Sequence, residues 1–182
     1  MNIIGFLKVI DLDTNSVIVD THNSINHENL SLALANSFSD KKYGPLYSMV
    51  FGSGGSVVDV TGVVSYLTTN TVGANAQLYN KVFEKIVNTN YITNTYNDSK
   101  IDVVYEQDKE YTDVVISCIL EENEPYTEDF VFDEIGLMCY DNNNKQRLIS
   151  HAIFHPVIKP ADRRRQIDYT IRISSQGCTV DD

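Results

Sequence analysis

Cysteine is scarce: three of 182 residues, Cys118, Cys139 and Cys178. An odd count with no C-x-x-C pair excludes a disulfide framework and a cysteine-based zinc site. Cys118 and Cys139 sit in apolar runs and are expected in the core, with Cys178 an incidental thiol near the C-terminus. This usage fits assembly in a reducing cytoplasm. Basic residues are also few, 14 Lys and Arg against 25 Asp and Glu, for a net charge of −11. Phosphate repels such a chain, so nucleic acid is not an expected partner. No apolar run approaches the roughly 20 residues of a membrane-spanning helix, and no membrane contact is expected. The opening MNIIGFLKVIDLD lacks a basic region and breaks at Lys8, Asp11 and Asp13, so it reads as neither signal nor transit peptide. Tryptophan is absent, but Tyr numbers 11. Together with frequent Thr, Val and Asn, that mix leans toward strands and turns.

The pattern along the chain predicts one mainly β (α+β) domain over residues 1–182, with no linker to divide it. Residues 3–12 and 16–21 read as a hairpin about Asp13-Thr14-Asn15. Leu30, Ala33, Leu34, Ser37 and Phe38 have the spacing of an amphipathic helix, capped by Ser24 or Asn26. Tyr47–Phe51 is a short strand ending in Gly52-Ser53-Gly54-Gly55. Residues 56–76 read as a long loop with extended segments, and such loops tend to be functional or ordered by a partner. Leu78, Val82, Phe83, Ile86 and Val87 predict a second short helix over 76–87. Residues 88–100 read as a polar loop or edge strand. Four strands follow. The first sets Val114, Ile116, Cys118 and Leu120 on one face, and the second Val131, Ile135, Leu137 and Cys139. After a turn at 141–145 comes a return strand over 147–157. The last alternates Ile167, Tyr169, Ile171 and Ile173 with polar residues. The expected architecture is an antiparallel sandwich or barrel-like core with two helices packed on it.

Motifs for chemistry fail one by one. The turn Gly52–Gly55 lacks the Lys of a phosphate loop and opens no helix, so it reads as a strand-ending turn whose glycines take positive φ. His151 and His155 lie on a predicted strand about 13 Å apart, too far to share a metal ion. Asp11–Asn15 and Asp141–Asn144 begin like calcium loops but lack the Gly and Glu those loops need, so both read as hairpin turns. No nucleophile signature is present. Asp133 and Glu134 are adjacent on a strand and should face opposite sides, which is no ready acid/base pair. No catalytic, cofactor-binding or metal-binding residue is therefore assigned, and no enzyme activity is expected. Gly136 would let its strand bulge or approach another backbone closely, leaving Glu134 to hydrogen-bond a nearby turn. Arg163-Arg164-Arg165 reads either as a solvated turn or as a docking patch for an acidic neighbour, because arginine pairs bidentately with carboxylates.

One set of residues carries a resemblance. Phe132-Asp133-Glu134-Ile135-Gly136-Leu137-Met138 is followed by Leu148–Phe154 and then by Lys159-Pro160. With the earlier Gly-rich turn at Gly52, Gly54 and Gly55 and the aromatic segment Leu78–Val82, this order resembles tail-collar fibre and baseplate-associated proteins of tailed bacteriophages. At this length a whole fibre with shaft and tip is not expected. The resemblance implies a structural subunit of the tail, neck (collar) or baseplate, located in the virion after assembly in the host cytoplasm. Its implied partners are copies of itself in a ring or collar and neighbouring phage proteins. Residues 56–76 and 88–100 are the expected contact arms. A receptor- or glycan-binding module using Tyr91, Tyr96, Tyr105 and Tyr111 is the first alternative. A cell-envelope hydrolase is the second, with no acidic residue to nominate.

Overall fold

The computed structural model describes residues 2–38, 45–88, 99–105 and 109–174. Strict alternation builds its two best-formed strands. In β1 (Asn2–Asp11), Gly5, Leu7, Val9 and Asp11 are buried, with less buried residues between them. In β11 (Arg165–Ser174), Ile167, Tyr169 and Ile171 are buried in the same way. These two strands pair antiparallel along their full length, from Asn2 opposite Ser174 to Asp11 opposite Arg165. The remaining strands of the sheet are β2 (Ser16–Ile25), β3 (Leu46–Gly52), β6 (Lys81–Ile86), β7 (Lys100–Tyr105), β8 (Tyr111–Leu120), β9 (Phe130–Tyr140) and β10 (Gln146–Lys159). Their order is β6-β3-β9-β10-β2-β1-β11-β8-β7, nine strands in one sheet. A separate hairpin is made by β4 (Ser56–Val58) and β5 (Val64–Tyr66).

The large sheet is antiparallel and curls into a half-barrel, so the chain is mainly β as its sequence implies. The concave face holds the main core, with Leu7, Phe51, Ile116, Phe132, Leu137 and Tyr169 all fully buried. Lys85 on edge strand β6 reaches across the open side and donates to the carbonyl of Ile119 on β8, at 2.6 Å. The one helix among the described residues, α1 (His27–Phe38), adds Ala33 to this core. Asn26 caps it, its side-chain oxygen accepting the Asn29 N–H at 3.1 Å. Phe38, expected on the buried face, is 87% exposed.

Two sequence expectations are corrected. Residues 76–87 form no helix: Ala76 and Leu78 pack on the outer face of the sheet, and Lys81–Ile86 is a strand. A register shift where β6 meets Phe51 and Gly52 leaves the adjacent Val82 and Phe83 both packed against the core. Such a bulge breaks period-2 alternation and imitates helical spacing. Val131 is half exposed, because Phe130 and Phe132 are the core residues at that end of β9. The pairing of β9 with β10 slips between Ile153 and Val157, around Pro156, which has no N–H to give to the ladder.

Candidate functional site

The outer face of β3, β9 and β10 carries a small second core of Val50, Met138, Leu148, Ala76 and Leu78. A strap of chain, residues 67–80, lies over it. Eleven described hydrogen bonds tie it to the rest of the molecule, four of them joining Asn75 to Lys145 and Arg147, and Asn80 to Ser53 in both directions. Leu67 N–H goes to Gly55 O at 2.8 Å, Asn26 Nδ2 to Gly73 O at 3.0 Å, and Arg147 Nη1 to Ala74 O at 2.6 Å. Thr69 Oγ1 donates to Ser24 Oγ at 2.7 Å. The other three run to Glu134 and His151.

Glu134 is the centre of this arrangement. Its Oε1 accepts the N–H groups of Gly54 (3.1 Å) and Asn80 (2.8 Å). Its Oε2 accepts the Tyr79 N–H (3.0 Å) and lies 3.0 Å from His151 Nε2. His151 Nδ1 in turn accepts the Asn70 N–H at 2.9 Å. Both side chains are fully buried, at 0% exposure. Burial works to raise the Glu134 pKa, but the His151 bond and the Asn80 and Tyr79 N–H groups outweigh it and hold the carboxyl below its usual 4.5. Asp133 grips the same turn: its two oxygens accept the N–H groups of Gly55 (2.9 Å) and Ser56 (2.8 Å). The two acids were expected on opposite faces, yet both reach the Gly turn, because β9 changes face between Phe132 and Ile135 where its pairing with β10 slips.

The glycines answer to crowding. Gly52, Gly54 and Gly55 are not among the positive-φ glycines, which are Gly62 and Gly73, so the expected left-handed turn is replaced by close approach. A Cβ on Gly52 would stand 2.7 Å from Asn80 O, and one on Gly54 would stand 2.8 Å from Asn80 N. Gly136 is similarly tight, with Ser150 O 3.0 Å from where its Cβ would be.

The basic run is divided by burial. Arg165 is buried and pairs with Asp11 at 3.0 Å, and Arg163 lies 3.6 Å from the same carboxylate. Asp11 also accepts the N–H groups of Asp13 and Thr14, closing the β1–β2 turn. Burial raises the pKa of Asp11, but those N–H groups and the two guanidiniums hold it below 3.8. Arg163 and Arg164 are exposed, whereas Arg165 is buried. Lys159 is wholly buried and donates to Glu121 O, and burial holds its ammonium below the usual 10.5. Pro160 accepts the Arg163 N–H at 3.2 Å in the turn that follows. Burial pushes the Cys118 thiol up to about 12 and that of Cys139 to about 11, so both stay protonated. Cys178, Tyr91 and Tyr96 lie outside the described residues. Tyr105 is exposed, while Tyr111 lies under the Arg172 guanidinium, 3.7 Å away.

The expected contact arm at 56–76 resolves into two parts, the strap and the β4–β5 hairpin. Asp59 closes the hairpin by accepting the N–H groups of Thr61 (2.7 Å) and Val63 (3.0 Å), with Gly62 at φ 85°. Val57, Val58, Val60, Val63 and Tyr66 on it are all exposed, Val60 completely. Of the expected arm at 88–100, residues 89–98 lie outside the described residues, and Lys100 opens edge strand β7.

These features define a β half-barrel with an acid-histidine clamp on its convex face and an apolar hairpin beside the clamp. No family model, curated protein or solved structure matches the chain.

Proposed function

We propose that this chain is a structural assembly subunit that meets a second copy of itself through the β4–β5 hairpin. The single observation that carries this reading is the hairpin's composition. The first strand exposes Val57 and Val58, the turn Val60 and Val63, and the second strand Tyr66, five large apolar side chains in eleven residues. A two-stranded hairpin is marginal alone, and apolar side chains gathered on one projection mark a contact surface. Covering those side chains returns on the order of 5 kcal/mol, enough to favour association. The clamp beneath the hairpin is a poor catalytic pair, since every acceptor position of His151 and Glu134 is taken by a backbone N–H or by the partner.

The setting we propose is the tail, neck or baseplate of a tailed-phage particle, with neighbouring virion proteins as further partners. Its support is the resemblance carried by Phe132–Met138, Leu148–Phe154 and Lys159-Pro160. Sedimentation velocity across a concentration series tests the assembly. The wild-type chain should gain mass with concentration, and more so in salt, because screening weakens repulsion between copies of net charge −11. A Val58→Asp, Val63→Asp double variant should remain a monomer. Equal association of both proteins would refute a contact through the hairpin.

A further inference from the structure

His151 is held in one protonation state by its neighbours. Its Nδ1 accepts the Asn70 N–H at 2.9 Å, so that nitrogen carries no proton. The ring proton is therefore on Nε2, which donates to Glu134 Oε2 at 3.0 Å. Both ring nitrogens are thus committed. Glu134 accepts four hydrogens and gives none. Through these two side chains, three strap residues (Asn70, Tyr79 and Asn80) and the turn at Gly54 are fastened to β9 and β10.

We propose that the Glu134–His151 pair is an acid-sensitive latch, and that one proton taken up by the pair frees Asn70, Tyr79 and Asn80 of the strap and loosens the β4–β5 hairpin next to it. A proton arriving at Nδ1 turns an acceptor into a donor aimed at the Asn70 N–H, and that bond must break. A proton arriving at Glu134 puts a hydrogen where a donor already points, and removes the charge that strengthens the other bonds. The groups facing His151 make either event local. From β9 comes Glu134, while the neighbouring Asp133 directs both oxygens at Gly55 and Ser56. From β2 comes uncharged Ser24, the pairing partner of His151. From the strap come the Asn70 N–H and the Tyr79 ring, 6.0 Å away. On β10 itself, Arg147 is turned to Asp141 and His155 to Tyr66. The direction in pH follows from Glu134, whose folded-state pKa lies below 4.5. Its stabilisation is complete above that value and is lost as pH falls through the folded one.

Amide hydrogen exchange by NMR on the dilute chain tests the latch without involving assembly. As pH falls from about 7 to about 3, the range that spans carboxylate protonation, protection at Asn70, Tyr79 and Asn80 should drop about tenfold or more after correction for intrinsic exchange. Protection at Ile167, Tyr169 and Ile171 in the core should outlast it and fall only at lower pH. Ring nitrogen shifts of His151 should show the Nε2–H form for as long as the Asn70 amide stays protected. His151→Gln cannot take up a proton, and its strap should lose the part of the pH response that tracks the ring. Should that variant not fold, the wild-type ring and amide titrations decide alone. Loss of strap and core protection in one step, or a ring that titrates while the strap amides stay protected, would overturn the latch.

Discussion

Glu134→Gln exchanges one oxygen for an NH2 group and leaves the volume of the site almost unchanged. Wild-type Glu134 accepts from Gly54 and Asn80 on one oxygen and from Tyr79 and His151 on the other. Glutamine keeps one acceptor, so in either orientation of its amide two of the four donors face another donor. His151 cannot relieve this by moving its proton to Nδ1, because Nδ1 accepts from Asn70. A buried donor left without an acceptor costs about 1–3 kcal/mol. Two of them cost about 2–6 kcal/mol, partly offset because a buried charge is also removed. The expected net loss is about 3 kcal/mol, a large part of the 5–15 kcal/mol stability typical of a domain. Urea unfolding measures it as a lower midpoint with an unchanged slope. Combined with His151→Gln in a double-mutant cycle, it should show a coupling above about 1 kcal/mol, as expected for residues in one hydrogen-bonded network. A loss below about 1 kcal/mol for Glu134→Gln alone, against the estimate for two unmatched donors, would refute the reasoning.

Three further outcomes are expected. Gly136→Val should lower stability by about 3 kcal/mol, because its Cβ would stand 3.0 Å from the fixed carbonyl of Ser150, and a melting curve that does not move removes the close-packing argument. Stability should fall in acid, as measured by unfolding at a series of pH values. Burial raises the pKa values of Asp11, Asp141 and Glu134, but their turn and strap hydrogen bonds hold them below 3.8, 3.8 and 4.5, so the stabilisation they confer is whole above those values and disappears below them. Arg164→Glu, at an exposed position, should leave unfolding within about 0.5 kcal/mol of wild type, whereas Arg165→Met, which strips the buried Asp11 of its closest cation, should cost about 2 kcal/mol or more.

Alternation was legible wherever the ladder is regular. Ile116, Cys118 and Leu120 on β8 and Ile167, Tyr169 and Ile171 on β11 declare their buried face in the sequence and keep it in the structure. The hairpin turns were legible as well, since Asp11 and Asp141 each sit where a side-chain oxygen closes a turn. Reading failed at bulges. The adjacent core residues Val82 and Phe83 look helical, and the change of face after Phe132 hides Asp133 behind a strand rule that does not hold there. In the sequence His151 reads only as one of two histidines too far apart to share a metal ion, and nothing there points to its bond with Glu134. Counting back from the 141–145 turn sets His151 opposite Ile135, and only the bulge between Leu148 and Ser150 moves it opposite Gly136, diagonal to Glu134. Nothing in the local pattern announces the other half of that site, because Asn70, Tyr79 and Asn80 contribute only backbone N–H groups, which every residue but proline possesses.

The most direct test of assembly through the hairpin is a photo-crosslinking amino acid at position 60, where the Val60 side chain is fully exposed at the tip. Irradiation of the otherwise unaltered chain at assembling concentration should give a covalent dimer, with the linked peptide mapping to a second copy. Light that leaves only monomer, while the same sample sediments as an oligomer, would contradict the account.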